Sequence, residues 1–394
     1  MKKIMKRFAW KSTLVLAMLA ASVAGCSGSK EFEDGGGDEY DYTDVIDTYV
    51  DDLVIPTYAD MKEKAWALLE KVTAFSTDQT EANLEAACQA WLDVRAPWEL
   101  SEAFLYGPCG ENGLNVDPNI DTWPFNMTDF MARISGSDPL TVANISFYPE
   151  ETRGFHTLEY LMFRQGNPRD LTTLPFSARE LQYLVSAATV LRNDCIRVWA
   201  CWKGITGLNT RDQQAVTDMT AIDYWDVAAK LAEWEADSYA TIFKNVKRPY
   251  TSQENVVEEI IDGICTIAAE VAESKIESPA AGGGNVDLVE SQYSYNSLKD
   301  FTDNIYSIRN AYYGSMTGTV AAGSLATFVK TREDGGTELH NDIVSAINNA
   351  IAKINAIQAP FALHLNDAAN ISAAVEACSD VEQEFLKIKL YMDI

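Results

Sequence analysis

Histidine and positive charge are both scarce in this chain, which limits the chemistry available to it. Of its 394 residues only three are histidine, and 31 lysines and arginines stand against 58 acids, for a net charge of −27. That sign argues against a nucleic-acid partner, because phosphates bind basic surfaces and are repelled by acidic ones. The sequence contains only His156, His340 and His364, which limits the number of histidine ligands that a metal site could have.

Closely spaced cysteine pairs are also missing. The seven cysteines include no C-x-x-C pair, which excludes a zinc ribbon or a thioredoxin-like site. Cys26 stands apart near the start of the chain, and most of the other six lie in apolar helical patterns. An exported chain permits disulfides, but a buried free thiol is an equally good interpretation of this setting. We therefore predict no disulfide.

Apolar runs long enough to cross a bilayer are absent from the sequence. The longest run, Thr13–Ala24, has about a dozen residues, whereas a spanning helix needs about 20. It follows a basic segment, which is the pattern of a signal peptide over residues 1–25. The sequence Val23-Ala24-Gly25-Cys26 is similar to the lipobox of bacterial lipoproteins, and it predicts lipidation at Cys26. An ordinary secretory signal that contains a cysteine is the alternative.

Residues 26–44 are acidic, rich in glycine and poor in apolar side chains, so we expect a flexible tether between lipid and folded body. The acyl chains would hold the protein to a membrane. We predict an outer-membrane lipoprotein of the cell envelope. The acidic stretch after Cys26 resembles the surface-export signals of some lipoproteins. A protein that faces the cell surface and one that faces the periplasm are the two alternatives.

Strand-like alternation is nearly absent, and apolar residues recur instead with the 3.6-residue period of helices, which predicts an all-α protein. Pro56 is expected to kink the first helix. The predicted helices cover residues 45–75, 81–106, 155–163, 178–202, 224–243, 254–277, 298–313, 337–358 and 369–392. Residues 107–122, 134–153 and 278–285 are expected to be irregular.

A weak internal repeat suggests a duplication. The segment from Trp91 to Gly107 parallels the segment from Leu298 to Gly314, at an offset of about 207 residues. We interpret this as two related antiparallel bundles, residues 45–247 and 248–394. Coincidence among helices of similar composition is the alternative.

The sharpest local motif is GFHTLEYLMF, residues 154–163. His156 and Glu159 are three residues apart on a predicted helix, so both side chains share one face. An imidazole and a carboxylate suit zinc or another divalent transition metal, and Gly154 permits a tight entry into the helix. The alternative is a hydrogen-bonded pair in the core.

This motif resembles the GxHxxE signature of the imelysin-like family, also called the M75 peptidase family. Three other segments agree with it: Arg95 to Gly107 is similar to the family's R-x-P-aromatic-x-x-S-E-A-F pattern, Asp121-Thr122-Trp123-Pro124 to its Trp-Pro loop, and Glu290–Ser297 to a serine-containing stretch of its second half. The resemblance runs from about Val45 to the C-terminus.

The resemblance implies two helical bundles with the site in a cleft between them. It implies metal ligands at His156, Glu159 and Glu102, with Arg95, Ser101, Trp123, Gly154, Ser294, Ser297 and Asp300 around the cleft. The chain departs from the family where Asn126 replaces an acid after Trp-Pro and where Val289-Glu290-Ser291-Gln292 replaces a histidine and an acidic pair.

Three functions fit these features. The first is capture of a divalent metal such as zinc or iron, or of an iron complex or haem, for an uptake system. A second axial haem ligand is not evident. The second is an M75-type metallopeptidase, but a general base beside three ligands and a water is not evident either, so no catalytic residue is assigned. The third is a surface lipoprotein that binds a protein or glycan partner without catalysis.

Overall fold

The computed structural model describes residues 40–392. The predicted signal peptide, the lipidation site at Cys26 and most of the tether at residues 26–44 lie outside this range. From Asp41 onward the described residues belong to one compact unit. Within the described part of the chain, no helix has both the length and the apolar character required to cross a bilayer.

The architecture is all-α, as predicted. The helices, in chain order, are α1 Thr43–Thr48, α2 Ile55–Thr77, α3 Glu81–Glu99, α4 Asp117–Asp121, α5 Met127–Ser135, α6 Val142–Ile145, α7 Gly154–Met162, α8 Ala178–Lys203, α9 Thr210–Thr220, α10 Val227–Glu233, α11 Tyr239–Lys244, α12 Gln253–Glu270, α13 Ser278–Ala280, α14 Ser297–Tyr313, α15 Leu325–Lys330, α16 Gly336–Ile354 and α17 Ala368–Tyr391. A two-stranded antiparallel hairpin, β1 Phe163–Arg164 with β2 Asn167–Pro168, follows α7. Short 3₁₀ turns cover Glu102–Phe104, Glu150–Thr152, Ala281–Gly283, Val286–Leu288 and Phe361–Leu363.

Local sequence signals account for many helix ends. Ser177 and Glu180 form a capping box at the start of α8, in which each side chain accepts a hydrogen bond from the other's backbone N–H. Thr80 and Ser252 cap α3 and α12 through their hydroxyls. Gly314 ends α14 in the left-handed conformation, where glycine has no Cβ to clash.

The long helices pack in two groups that α14 connects. Helix α2 packs on α3 and α8, while α17 packs on α16 and α12. Helix α14 contacts both α3 and α12 and so joins the two groups. Apolar side chains from all these helices form one continuous buried cluster, and all six cysteines between residues 40 and 392 are buried free thiols.

Several predicted helix boundaries were wrong. The first helix contains a π-helical turn at Tyr49–Val54, just before Pro56, where the proline's missing N–H interrupts the α-helical hydrogen bonds. The predicted helix 81–106 ends at Glu99, two residues after Pro97. The predicted helix 224–243 is interrupted between α10 and α11, where Glu235 has φ 53°. The sequence patterns also missed α4, α5, α6, α9 and α15, and α4 and α6 lie in segments that were expected to be irregular.

Helices α3 and α14 lie side by side in the same direction. Arg95 Nε donates to Asp300 Oδ2 at 3.3 Å, and one turn later Asn304 donates to Glu99 at 2.6 Å. These partners are each 205 residues apart, close to the offset of the sequence repeat. The division into duplicated bundles at residues 247/248 stays a prediction.

Candidate functional site

Gly154 sets the position of the helix that carries the GxHxxE motif. It has φ +74°, and a Cβ on it would lie 2.3 Å from the carbonyl oxygen of Ile120. Only glycine permits both that backbone conformation and that approach. The start of α7 is therefore pressed against the end of α4, which brings His156 next to Asp121.

His156 is held in a defined orientation by Glu159. The two side chains share one face of α7, and Glu159 Oε2 lies 3.1 Å from His156 Nδ1. Glu159 Oε1 accepts three further hydrogen bonds, from the backbone N–H of Tyr293 at 2.9 Å and from the N–H and hydroxyl of Ser294, both at 2.8 Å. Both oxygens of the Glu159 carboxylate are thus in contact with other groups of the protein.

The other imidazole nitrogen faces two carboxylates. His156 Nε2 lies 3.1 Å from Asp121 Oδ1 and 4.0 Å from Glu290 Oε1. It is buried and has no aligned hydrogen bond. Burial lowers the pKa of His156, but the adjacent carboxylates of Asp121 and Glu159 outweigh burial and raise the pKa to about 10.

Arg95 lies at the centre of the carboxylates. Its side chain is fully buried. Its guanidinium contacts four acids, which lie on α3, on α4, on α14 and in the loop before α14. These acids are Glu99, Asp121, Glu290 and Asp300. A guanidinium presents donors in a planar fork, so one side chain can bridge carboxylates that approach from several directions.

Lys275 is the second buried cation. Its ammonium donates to Glu290 Oε2 at 2.9 Å and lies 4.0 Å from Glu102 and 3.9 Å from Glu270. It comes from the π-helical segment Val271–Glu277 that follows α12. Single π-helical turns within helices occur frequently at functional sites.

Negative charge exceeds positive charge in this buried group. The six buried carboxylates that contact Arg95, Lys275 or His156 are Glu99, Glu102, Asp121, Glu159, Glu290 and Asp300. Even with His156 protonated, three cations face six acids. Unpaired charges are costly to bury, so the group must bind protons or an additional cation.

The pKa shifts of these carboxylates agree with the excess of negative charge. Burial raises the pKa of Glu99 and Glu102 well above the ordinary value and that of Asp300 to about 6. Burial would also raise the pKa of Asp121, but Arg95 and His156 hold it well below the usual range. Acids held protonated can exchange that proton for a metal cation.

A cavity of about 310 Å³ reaches this group. Its walls include Glu102, Asp117, Asp121 and Glu270, and Trp123 forms one side. The ammonium of Lys275 lies 4.8 Å from the centre of the Trp123 ring. Burial, together with the charge of Asp121, raises the pKa of Asp117 to about 7. Small cations therefore have an acidic route to the buried carboxylates.

The donor set around His156 fits a metal ion. Ligand atoms of Asp121, His156 and Glu290 lie within 4.8 Å of one another. Nitrogen and carboxylate oxygen are ligands that suit iron, zinc or manganese. Metal-binding histidines commonly have their other ring nitrogen bonded to a carboxylate, and Glu159 supplies that bond. The buried Nε2 without an aligned hydrogen bond completes the fit.

The three ligands expected from the sequence occupy different places. In the described residues, Glu102 groups with Glu99 and Asp121, and Glu159 falls in neither cluster of mutually close ligand atoms. Glu159 lies beside His156 Nδ1 at 3.1 Å, where it can orient the imidazole, and its assignment as a metal ligand stays a prediction.

The remaining expected residues divide into two sets. Arg95 and Asp300 are part of the buried ionic group, and Trp123 lines the cavity. The hydroxyls of Ser101 and Ser297 donate to backbone carbonyls, of Trp98 at 2.7 Å and of Glu290 at 2.5 Å. These two serines brace the chain around the site.

Sequence reasoning missed the roles of Asp121, Glu290 and Lys275. Asp121 and Glu290 lie in segments whose motifs had been noted, but nothing local marks them as facing His156. Lys275 lies in an apolar helical pattern, where a lysine would be expected to point to solvent. Its burial depends on glutamates that are close to it only in the folded chain.

The fold and the site together define the class of protein. It is an all-helical protein with a buried cluster of carboxylates around one histidine. The family model of peptidase M75, described as imelysin, matches residues 54–387. The chain belongs to this imelysin family.

Two relatives share about the same level of identity. Iron-regulated protein A of Synechococcus elongatus is 31% identical over 280 residues, which cover 71% of this chain and 67% of that protein. A crystal structure of a candidate iron-regulated protein A precursor from Parabacteroides distasonis is 31% identical, with a TM-score of 0.73 over 93% of this chain and 97% of that one.

A more distant structure agrees in fold. An imelysin-like protein from Psychrobacter arcticum superposes with a TM-score of 0.63 over 90% of this chain and 96% of that chain, at 14% identity. At this level of identity the likeness supports the fold alone.

Proposed function

We propose that this protein captures a metal ion, most simply iron, at His156, Asp121 and Glu290, and serves in iron acquisition at the cell envelope. The observation that carries the proposal is the excess of buried carboxylates around a histidine whose Nε2 has no aligned hydrogen bond. The names of the two relatives, which mention iron regulation, favour iron among the metals that this donor set accepts.

A single ion suits the site better than haem. Haem requires a flat apolar slot and an axial ligand that can reach its iron. His156 is only 4% exposed, and its Nε2 faces carboxylates. Bound metal would offset negative charge that the protein otherwise neutralises with protons. Glu159 would keep the imidazole of His156 turned toward the metal.

The proposed cellular setting comes from the N-terminus. Lipidation at Cys26 would anchor the body to the outer membrane through a flexible acidic tether, near an uptake-system partner. A Cys26→Ser variant should then appear in the soluble envelope fraction, whereas the unmodified chain stays with the membrane. Equal distribution of both would contradict the anchor and leave the metal site untouched.

The metal proposal is tested on protein purified without a histidine tag. Elemental analysis after loading with ferrous or zinc ion should find about one equivalent in the unmodified chain and much less in His156→Ala. His364→Ala is the matched control, because His364 Nδ1 lies 2.9 Å from the carbonyl of Pro360 and His364 belongs to neither cluster of close ligand atoms in the described residues. Metal contents that are equal in all three proteins would refute the proposal.

The same samples test the peptidase alternative. Unfolded protein chains are incubated with the loaded protein, with and without a chelator. Cleavage that disappears with the chelator and in His156→Ala would favour an M75-type metallopeptidase. Metal binding without cleavage would support capture alone.

A further inference from the structure

A second and larger cavity lies outside the ionic group. It has a volume of about 780 Å³, and the only residue it shares with the cavity beside Trp123 is Leu105. Pockets that bind small organic molecules have volumes of about 300–1,000 Å³. The cavity is formed by the loop after the 3₁₀ turn Glu102–Phe104, by the connection between α10 and α11, and by α12.

Aromatic rings form one wall of this cavity. Trp234 and Tyr239 have ring centroids 5.2 Å apart, and the hydroxyl of Tyr239 is hydrogen-bonded to that of Tyr250 at 2.8 Å. Gly107 has φ +56°, and a Cβ there would lie 2.3 Å from the Tyr239 ring. The loop can thus close over the aromatic wall only because residue 107 is glycine. The rings are held in place before any ligand arrives.

Acidic side chains surround the rings. Of the residues between 40 and 392, the acids Glu111, Glu233, Glu235 and Glu259 line the cavity together with a single cation, Arg248. Glu259 is half-buried, and the neighbouring charges that raise its pKa, beside burial itself, are the acids Asp262 and Glu258. Glu233 is paired with Lys230 at 3.0 Å, which leaves three carboxylates and one guanidinium, a balance that attracts cations and repels anions.

The chain itself provides an example of the expected interaction. The ammonium of Lys230 lies 5.6 Å from the centre of the Trp234 ring, within the range in which a cation is attracted to an aromatic face. Lys230 is not among the residues that line the cavity. This contact shows that the indole of Trp234 can hold an ammonium group on one face.

We propose that this cavity binds a small organic cation that carries an ammonium group, against the aromatic wall of Trp234 and Tyr239 and beside Glu259. Aromatic walls recognise ammonium groups through the negative faces of their rings, and quaternary ammonium ions are recognised in this way. Neutral sugars also stack on tryptophan and can donate hydroxyl hydrogen bonds to carboxylates, but they carry no positive charge to balance the surplus of acids. This inference is independent of the metal site.

Calorimetric titration with choline tests the proposal, with 3,3-dimethylbutan-1-ol as the neutral probe of the same shape. Choline should bind and the alcohol should bind at least tenfold more weakly. Trp234→Ala should weaken choline binding about tenfold, as loss of a cation–π contact predicts, and Trp234→Phe should restore part of it.

Glu259→Gln and Glu258→Gln form a matched pair. Both remove one negative charge from α12, but the Glu258 carboxylate lies 3.2 Å from Lys389 and does not line the cavity. Only Glu259→Gln should weaken choline binding. Equal binding of choline and the neutral alcohol, equal effects of the two glutamine variants, or no choline binding by the folded unmodified chain would each overturn the proposal.

Discussion

The hydroxyl of Ser294 donates to Glu159 Oε1 at 2.8 Å, and this contact ties the second half of the chain to the helix that carries His156. The bond spans 135 residues. Because Glu159 in turn fixes His156 through Nδ1, a serine far along the sequence helps to aim the imidazole at Asp121 and Glu290.

Removing the orienting carboxylate should weaken metal binding without removing a ligand. We expect Glu159→Gln to lower the affinity about 10–100-fold, the usual range for partners of a metal-bound histidine, and Ser294→Ala to lower it less, because two backbone N–H groups still hold Glu159. Competition with a chromogenic chelator measures both. Ser315→Ala, whose hydroxyl bonds only with nearby Thr317, is the control. Affinity unchanged in Glu159→Gln would contradict the orienting role.

Arg95 should be essential to the fold. Arg95→Met would leave four buried carboxylates without their guanidinium, and removal of one partner from a buried ion pair costs about 3–5 kcal/mol. Urea unfolding measures the loss. Lys64→Met, which removes a surface pair with Asp60 at 2.7 Å, should cost less than about 1 kcal/mol. Added metal should restore part of the loss in Arg95→Met, and equal costs for both variants would contradict the assignment.

Stability should fall as the pH rises from about 4 to about 7. The pKa of Asp117 is raised to about 7 and that of Asp300 to about 6, so in this range the folded state binds more protons than the unfolded state. The free energy of unfolding then decreases with pH. The raised pKa of His156 acts in the same direction at higher pH, up to about 10.

Thermal unfolding of metal-free protein at about pH 5 and about pH 8 measures this dependence. Asp117→Asn should reduce the difference between the two midpoints, since it removes one of the shifted acids. A divalent metal should stabilise the protein more at the higher pH, where it competes with fewer protons. Greater stability of the metal-free protein at pH 8 would contradict the charge imbalance.

Gly154→Ala should displace the start of α7. Alanine at φ +74° costs about 1–3 kcal/mol in backbone strain, and its Cβ would also meet the Ile120 carbonyl at 2.3 Å. Gly207→Ala is a matched control, because Gly207 has φ +75° with nothing within 4 Å. Denaturant unfolding should show a larger loss for Gly154→Ala, and only that variant should bind less metal. Equal losses would mean that the contact with Ile120 does not position the site.

Much of the fold could be predicted because helix periodicity is a local property. The 3.6-residue apolar pattern located α8, α14, α16 and α17 to within a few residues of their bounds. It failed where backbone effects override the pattern, as after Pro97 and at Glu235. The periodicity did not reveal helix α9, because this helix is mostly polar and few of its residues are buried.

The sequence by itself determined the helical class, the family motif, and the pairing of His156 with Glu159, since three residues along a helix make one turn. Only the tertiary structure decided what faces the other side of the imidazole. Asp121 comes from α4, Glu290 from a loop 134 residues beyond His156, and Lys275 from a π-helical turn. A charge imbalance arises only when such distant groups are buried together, because in the unfolded chain water would screen each of them separately.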